Sequence, residues 1–404
     1  MLNDNALLQS DEVLEGAQFV QPGPIEQGGN NHGLRKMDLV SKLHQPAVLE
    51  YIKTIDPVEG GQSPFIVELD TTEVCNLKCK GCISDDVLLS HNSFSSERLM
   101  RLAEELIEAG VKGVILIGGG EPLAHSQVGA FMEKIGENGI QIGITTNGSY
   151  IYKFVDIIAQ YAHWTRVSLD AGTDETFYHL RPAKNGRSLF GHITGSMKDL
   201  AKIKRGRLGY SFLIRTVADG FGIRSNISDL YPAARLAKEI GCDYFEIKPS
   251  YKFSDNSDHY LIRHDQAEMQ AARREIDKCR ILADKNFKVI LSINLEHSLS
   301  GTQNYQPKTY HSCPAAQVRT LICPSGAYVC PYFRGKKHMM IGRLQETSFK
   351  EMWYGETRKK IMERLNPEVD CKMHCIRHDT NLEIFRMFDE QSFEPWQDLG
   401  DFFI

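Results

Sequence analysis

Between residues 64 and 250 the chain alternates short apolar, β-branched runs with longer amphipathic stretches, and this alternation limits the fold more than any other feature. PFIVELD, GVILIGG, IQIGITT, TRVSLD, GYSFLIRTV and DYFEIKP read as strands. SSERLMRLAEELIEAG and ISDLYPAARLAKEIG read as helices, each ending on a glycine (Gly110, Gly241) suited to a left-handed C-cap. Successive parallel strands need crossover helices, so six β-α units in series imply a parallel sheet, either open and doubly wound or an incomplete barrel. Polar and glycine-rich segments (TTEVCNLKC, GGGEP, TNG, LDAGT) follow the strands, which marks the carboxyl edge of the sheet as the working edge.

The flanks are different in texture. Residues 1 to 36 are rich in Gly, Asn, Gln and Pro, as expected of a mobile leader or loosely packed lid. Leu39, Leu43, Val48, Leu49 and Ile52 recur at helical spacing across Pro46, which predicts a broken amphipathic helix. After DYFEIKP come a charged helix over about 264–284 and the apolar run FKVILSIN. From about 310 follow a hairpin in LICPSGAYVCPYF, a helix near 347–364, a Cys-containing loop and an apolar, acidic tail.

A net charge of -5 offers no basic field for a phosphate backbone, so nucleic acid is not an expected partner. No run reaches eighteen apolar residues and the first residues lack a secretory h-region; the expectation is a cytoplasmic protein with no membrane association. Thiols stay reduced there, so ten cysteines point to metal or redox chemistry instead of disulfides. Three fall at 75, 79 and 82 and five between 313 and 375, while Cys242 and Cys279 stand alone.

Cys75-Asn-Leu-Lys-Cys79-Lys-Gly-Cys82 puts three thiols on one short loop after the first strand, where they can meet neighbouring corners of one iron-sulfur cube. A structural zinc site would want a fourth ligand, and the next histidine is His91. This spacing resembles the signature of the radical S-adenosylmethionine (SAM) superfamily, Cys-x3-Cys-x2-Cys after the first strand of a partial β/α barrel. The resemblance implies a 4Fe-4S cluster whose open iron binds SAM and cleaves it to a 5′-deoxyadenosyl radical that takes a hydrogen atom from the substrate. It also implies SAM contacts from Gly119, Gly120 and Glu121 in the GGGEP segment, from Asn147, from Ser168 and Asp170, from Arg215 to the SAM carboxylate, and from the backbone near Ile247 to the adenine. Gly81 stands where the family usually has an aromatic residue. His179 and Arg181 read as solvated helix or loop positions, and no residue is assigned as a catalytic base.

The segment from Cys313 through Cys330 to Cys371-Lys-Met-His-Cys375 resembles the SPASM or twitch extension of that superfamily. The resemblance implies one auxiliary 4Fe-4S cluster on Cys313, Cys330, Cys371 and Cys375, although the closing pair has three intervening residues where two are usual. Four thiolates can equally hold zinc. Cys323 reads as a spare buried thiol.

The expected architecture is therefore α/β: a partial (β/α)6 TIM-type barrel with a small C-terminal β-hairpin and helix domain for the auxiliary cluster. Its parts are an N-terminal leader and helical extension (1–60), the barrel (61–255), a connecting helix and strand (256–305) and the auxiliary region with its tail (306–404). The function that follows is hydrogen abstraction from a sugar or aminocyclitol-type small molecule, leading to dehydrogenation, dehydration or epimerisation, with a flavodoxin or ferredoxin as electron donor. A peptide-modifying maturase is the second reading, and a non-enzymatic iron-sulfur or zinc protein the third.

Overall fold

The computed structural model describes residues 39–56, 61–219, 222–253, 259–261, 265–292, 295, 307–371 and 375–404, all within the compact unit Gly33–Ile404. The leader expected over 1 to 36 and much of the 256–305 connection lie outside these residues.

Fourteen strands are described in chain order: β1 (Ile66–Leu69), β2 (Gly113–Leu116), β3 (Gln141–Thr146), β4 (Ala162–Ser168), β5 (Arg207–Ile214), β6 (Thr216–Asp219), β7 (Gly222–Ser225), β8 (Tyr244–Pro249), β9 (Tyr251–Phe253), β10 (His259–Leu261), β11 (Lys288–Leu291), β12 (Arg319–Cys323), β13 (Gly326–Tyr328) and β14 (Met340–Gly342). Ten of them make one sheet in the order β11-β8-β5-β4-β3-β2-β1-β12-β13-β14. The six expected strands β1 to β5 and β8 are mutually parallel, and FKVILSIN adds β11 in parallel beside β8. This is the partial barrel read from the alternation. The hairpin β12-β13 is no separate sheet: β12 runs parallel to β1, with Ile66 opposite Arg319 and Glu68 opposite Leu321.

Side chains alternate along each strand, so one face meets the helices and the other the barrel interior. Val67, Leu69, Val114, Leu116, Ile142, Ile144, Val167, Tyr210, Phe212 and Phe245 join the main apolar core. Against them the helix Ser96–Glu108 packs Leu99, Leu102, Ala103 and Leu106, the i, i+3, i+4, i+7 stripe of an amphipathic helix. Burying each such leucine stabilises the fold by roughly 1.5–3 kcal/mol. Ser95 caps that helix by accepting from the Arg98 N–H, and Gly241, at φ +94°, ends the helix Leu230–Ile240.

The opposite alternation puts Glu68, Arg166, Ser211, Glu246 and Lys248 on the interior face. Its amino-terminal end is closed by Ile66, Ile115, Val318, Phe403 and Ile404, which form a second core with Leu49 and Ile52. Pro46 opens the helix Pro46–Ile52, after Leu39–Leu43, as the broken pattern predicts. The helix expected near 347–364 is two, Phe349–Trp353 and Glu356–Arg364, because the chain turns extended at Gly355 (φ -74°, ψ 155°). No helix among the described residues is long and apolar enough to cross a membrane.

Candidate active site

The three-cysteine loop leaves β1 at the carboxyl edge and is clamped on both sides. On one side Glu121 N–H donates to the Val74 carbonyl at 2.9 Å, and a Cβ on Gly120 would collide with the Val74 backbone, so only glycine allows this approach. On the other, Lys78 and Lys80 N–H donate to the carbonyls of Pro182 and Leu180 at 2.8 and 2.9 Å. Each sulfur then receives at least one N–H donor: Asn147 Nδ2 is 3.7 Å from Cys75 Sγ, which also accepts the Leu77 N–H, Arg181 Nη1 is 3.6 Å from Cys79 Sγ, and Ser84 N–H is 3.5 Å from Cys82 Sγ. Such donors stabilise sulfur that carries negative charge.

Burial pushes the Cys75 thiol up to about 11, and its neighbours Cys79 and Cys82 add to the shift. A metal must therefore displace protons on binding. Among the described residues no three His, Cys, Asp or Glu side chains converge as ligands of a single ion would. The thiols lie near enough to influence one another.

Gly81 has φ +59°, and a Cβ there would meet Arg215 Nη2 at 3.1 Å. Where an aromatic residue is usual, this chain has a left-handed glycine covered by a guanidinium. Arg215 is buried, donates to the Lys80 carbonyl and lies 3.8 Å from Asp170. It braces the cysteine loop.

The geometry gives three of the expected SAM contacts partners within the protein and buries Arg181, read as solvated. Asp170, expected at a ribose, is fully buried at φ +54°. Its Oδ2 accepts from Arg181 Nε and Nη2 at 2.9 and 2.6 Å and its Oδ1 from Leu213 N–H at 2.9 Å. Glu121, expected to pair with an ammonium, accepts from Thr146 Oγ1 at 2.5 Å, Asn147 N–H at 2.7 Å and Leu123 N–H at 3.1 Å. It ties the GGGEP turn to the end of β3. Arg181, read as solvated, is buried between Asp170 and Cys79. Ile247 is buried in β8 and its carbonyl accepts the Ser292 N–H, so that acceptor is already engaged. Ser168 ends β4 opposite Ser211, and Gly119 lies in the turn beyond β2.

Glu121 also gives the site a pH signature. Burial, opposed by its three donors, pushes its carboxyl up to about 7 from the usual 4.5. A raised folded value means a stabilising proton held below pH 4.5 and lost as pH rises through about 7. The stability difference between parent and Glu121→Gln should thus shrink by up to about 3 kcal/mol between pH 4.5 and 7, read from urea midpoints at pH 5 and pH 8. A difference that grows with pH contradicts this.

The second cysteine group comes together from four separate segments. Cys313 precedes the helix Pro314–Val318, Cys330 follows β13, Cys371 follows the helix Pro367–Asp370, and Cys375 stands before the helix His378–Asp389. Burial pushes the Cys330 thiol up, and Cys375, Cys313 and Cys371 push it further, which puts all four within electrostatic reach. Asn381 Nδ2 lies 3.5 Å from Cys313 Sγ and Arg377 N–H 3.4 Å from Cys375 Sγ. Lys308, 2% exposed, draws the Cys371 and Cys375 thiols down, against the larger effect of burial. Cys323 is buried, donates to the Gly326 carbonyl at 2.9 Å and answers to Asp70 and Arg334 in place of the other thiols. Cys242 and Cys279 are core thiols.

Sequence reasoning misread Arg181 as solvated and missed Asn226, Asn381 and Lys308. Asn226 Nδ2 donates to the carbonyls of Asp170 and Leu213 at 2.8 Å each and so joins the ends of β4 and β5. The available signal was a polar residue beside a strand end or on the inner stripe of a helix, which is weak alone.

Comparison with known proteins agrees with this arrangement. Residues 69–214 match the model of the radical SAM superfamily. The chain is 23% identical over 302 residues to the mycofactocin maturase MftC of Mycolicibacterium smegmatis, covering 73% of this chain and 71% of that one. It is 26% identical over 200 residues to an S-adenosylmethionine-dependent nucleotide dehydratase of Flammeovirga pacifica, covering 48% and 62%. Of two curated relatives that it matches, the chain spans only 23% and 62% of the length. Its fold is similar to that of Streptococcus suis SuiB bound to S-adenosylmethionine, with a TM-score of 0.57, 16% identity, and coverage of 87% of this chain and 80% of that one. Over residues 69–214 the chain carries a radical SAM superfamily domain, set in a fold similar to that of SuiB.

Proposed function

We propose that Cys75, Cys79 and Cys82 hold the SAM-binding 4Fe-4S cluster and that the enzyme takes a hydrogen atom from a small polar substrate inside the barrel, leading to dehydrogenation, dehydration or epimerisation of a sugar-type molecule. The single observation that carries the cluster assignment is the set of three sulfurs on one loop, each with its own N–H donor. Bound there, the cluster supplies the electron that cleaves SAM to a 5′-deoxyadenosyl radical.

The chain's own residues do the rest. Gly119 and Gly120 bring main chain close to the bound SAM, and Asn147 and Ser168 line its site. Glu121, Asp170 and Arg215 form the frame that fixes those segments, and β8 around Ile247 walls the adenine side. Cys313, Cys330, Cys371 and Cys375, in the region 306–404, hold an auxiliary 4Fe-4S cluster, with Lys308 and Asn381 favouring their charged form. A flavodoxin or ferredoxin delivers the electron. Changing Cys371 and Cys375 together to serine should lower bound iron from about eight to about four per chain, measured with acid-labile sulfide. Unchanged iron would remove the auxiliary assignment.

A peptide-modifying maturase is the second reading, favoured by the similarity to MftC over 73% of this chain. Anaerobic reconstitution with dithionite and SAM, scoring 5′-deoxyadenosine with sugar phosphates, nucleotide sugars and candidate peptides, separates the two. Stimulation by peptides alone would reverse the order.

A further inference from the structure

The barrel interior carries charges that neither cysteine group uses. Arg166 Nη1 of β4 donates to Glu246 Oε2 of β8 at 3.4 Å, and Lys248 Nζ lies 3.2 Å from the same oxygen. Arg166 Nη2 also donates to Thr145 Oγ1 of β3 at 3.2 Å. The other interior acids have cations of their own: Glu68 meets Arg319, Asp70 meets Arg334, and Asp170 meets Arg181. Two cations therefore share one carboxylate, which leaves one positive charge in excess at this place.

Exposure sorts the three groups. The Glu246 side chain is 7% exposed, whereas those of Arg166 and Lys248 are 22% and 23% exposed. The acid is sealed behind the cations, and the cations face the open interior. Burial pushes the Lys248 ammonium down, and the neighbouring Arg166 adds to this. An anion placed between them would relieve both effects.

We infer that Arg166 and Lys248 form a receptor for an oxyanion, a phosphoryl or carboxylate group, on the small molecule that the barrel holds. Glu246 is the positioning residue that aligns both donors. An arginine fork with a lysine point charge is the donor set such a group takes up. A bare ammonium finds no acceptor here, because the one carboxylate present is already shared. The inference deepens the proposed reading: within sugar-type substrates it selects phosphorylated or acidic ones over aminocyclitols.

The test is calorimetric titration of inorganic phosphate, and separately of acetate, into the anaerobically reconstituted enzyme with SAM bound. Phosphate or acetate should bind to the parent, and the stronger of the two identifies the group. Arg166→Gln and Lys248→Gln should each weaken that binding tenfold or more, and Lys248→Arg, which keeps the charge, should retain most of it. Binding of neither anion by the parent, or equal binding by the parent and both glutamine variants, overturns the inference. The reading beneath it fails separately, when the parent forms no 5′-deoxyadenosine with dithionite and SAM. A parent that cleaves SAM but binds neither anion removes the receptor alone.

Discussion

Cys79→Ala should abolish 5′-deoxyadenosine formation after reconstitution, a loss larger than the about 10- to 100-fold that follows removal of an outer-shell partner of a metal ligand. The distinction is testable on this chain, because each sulfur has a named donor. Asn147→Ala removes the side-chain donor to Cys75, keeps the Leu77 N–H and leaves all three thiols, so its effect should stay within that smaller range. A chromatographic assay of 5′-deoxyadenosine per bound iron reads both variants. If Cys79→Ala falls no further than Asn147→Ala, the loop does not hold the cluster.

Arg334→Leu should destabilise the protein by about 3–5 kcal/mol, since removing one partner of a buried ion pair leaves an uncompensated charge. Asp70 is fully buried, with Arg334 Nε 2.8 Å from Oδ2, Arg334 Nη2 2.9 Å from Oδ1, and the Gly118 N–H also donating to Oδ1 at 2.8 Å. Burial pushes its carboxyl up even with the arginine beside it. The pair joins the end of β1, the GGGEP turn and the chain just after Cys330, so its loss loosens the barrel and the auxiliary region together. Asp70→Asn combined with Arg334→Leu removes the stranded charge and should recover part of the loss, as measured by urea midpoints. A single variant within about 1 kcal/mol of the parent, the usual range for an exposed pair, would show that the pair is solvated.

What the sequence made legible was local. The six β-α units appeared because strand and helix periodicity are written within ten residues, and the cysteine loop because its three thiols are seven residues apart from first to last. The joining of β12 to β1 was not, since parallel pairing across some 250 residues leaves no local mark. Nor were the engagements of Asp170 with Arg181 and of Glu121 with Thr146 and Asn147: a carboxylate at a strand end looks the same whether it awaits a ligand or holds the frame. Gly81 stood out only as the place of a usual aromatic residue, because Arg215, which covers it, lies between β5 and β6, far along the chain. The interior charges Arg166, Glu246 and Lys248 did leave a trace, as charged residues inside otherwise apolar strand runs, at positions that alternation turns inward.

The most direct measurement is metal and product analysis of the same anaerobically purified and reconstituted sample. Iron and acid-labile sulfide in equal amounts, together with 5′-deoxyadenosine formed from SAM only after reduction by dithionite, is the expected result. Stoichiometric zinc without iron, and SAM left intact under the same conditions, would contradict it.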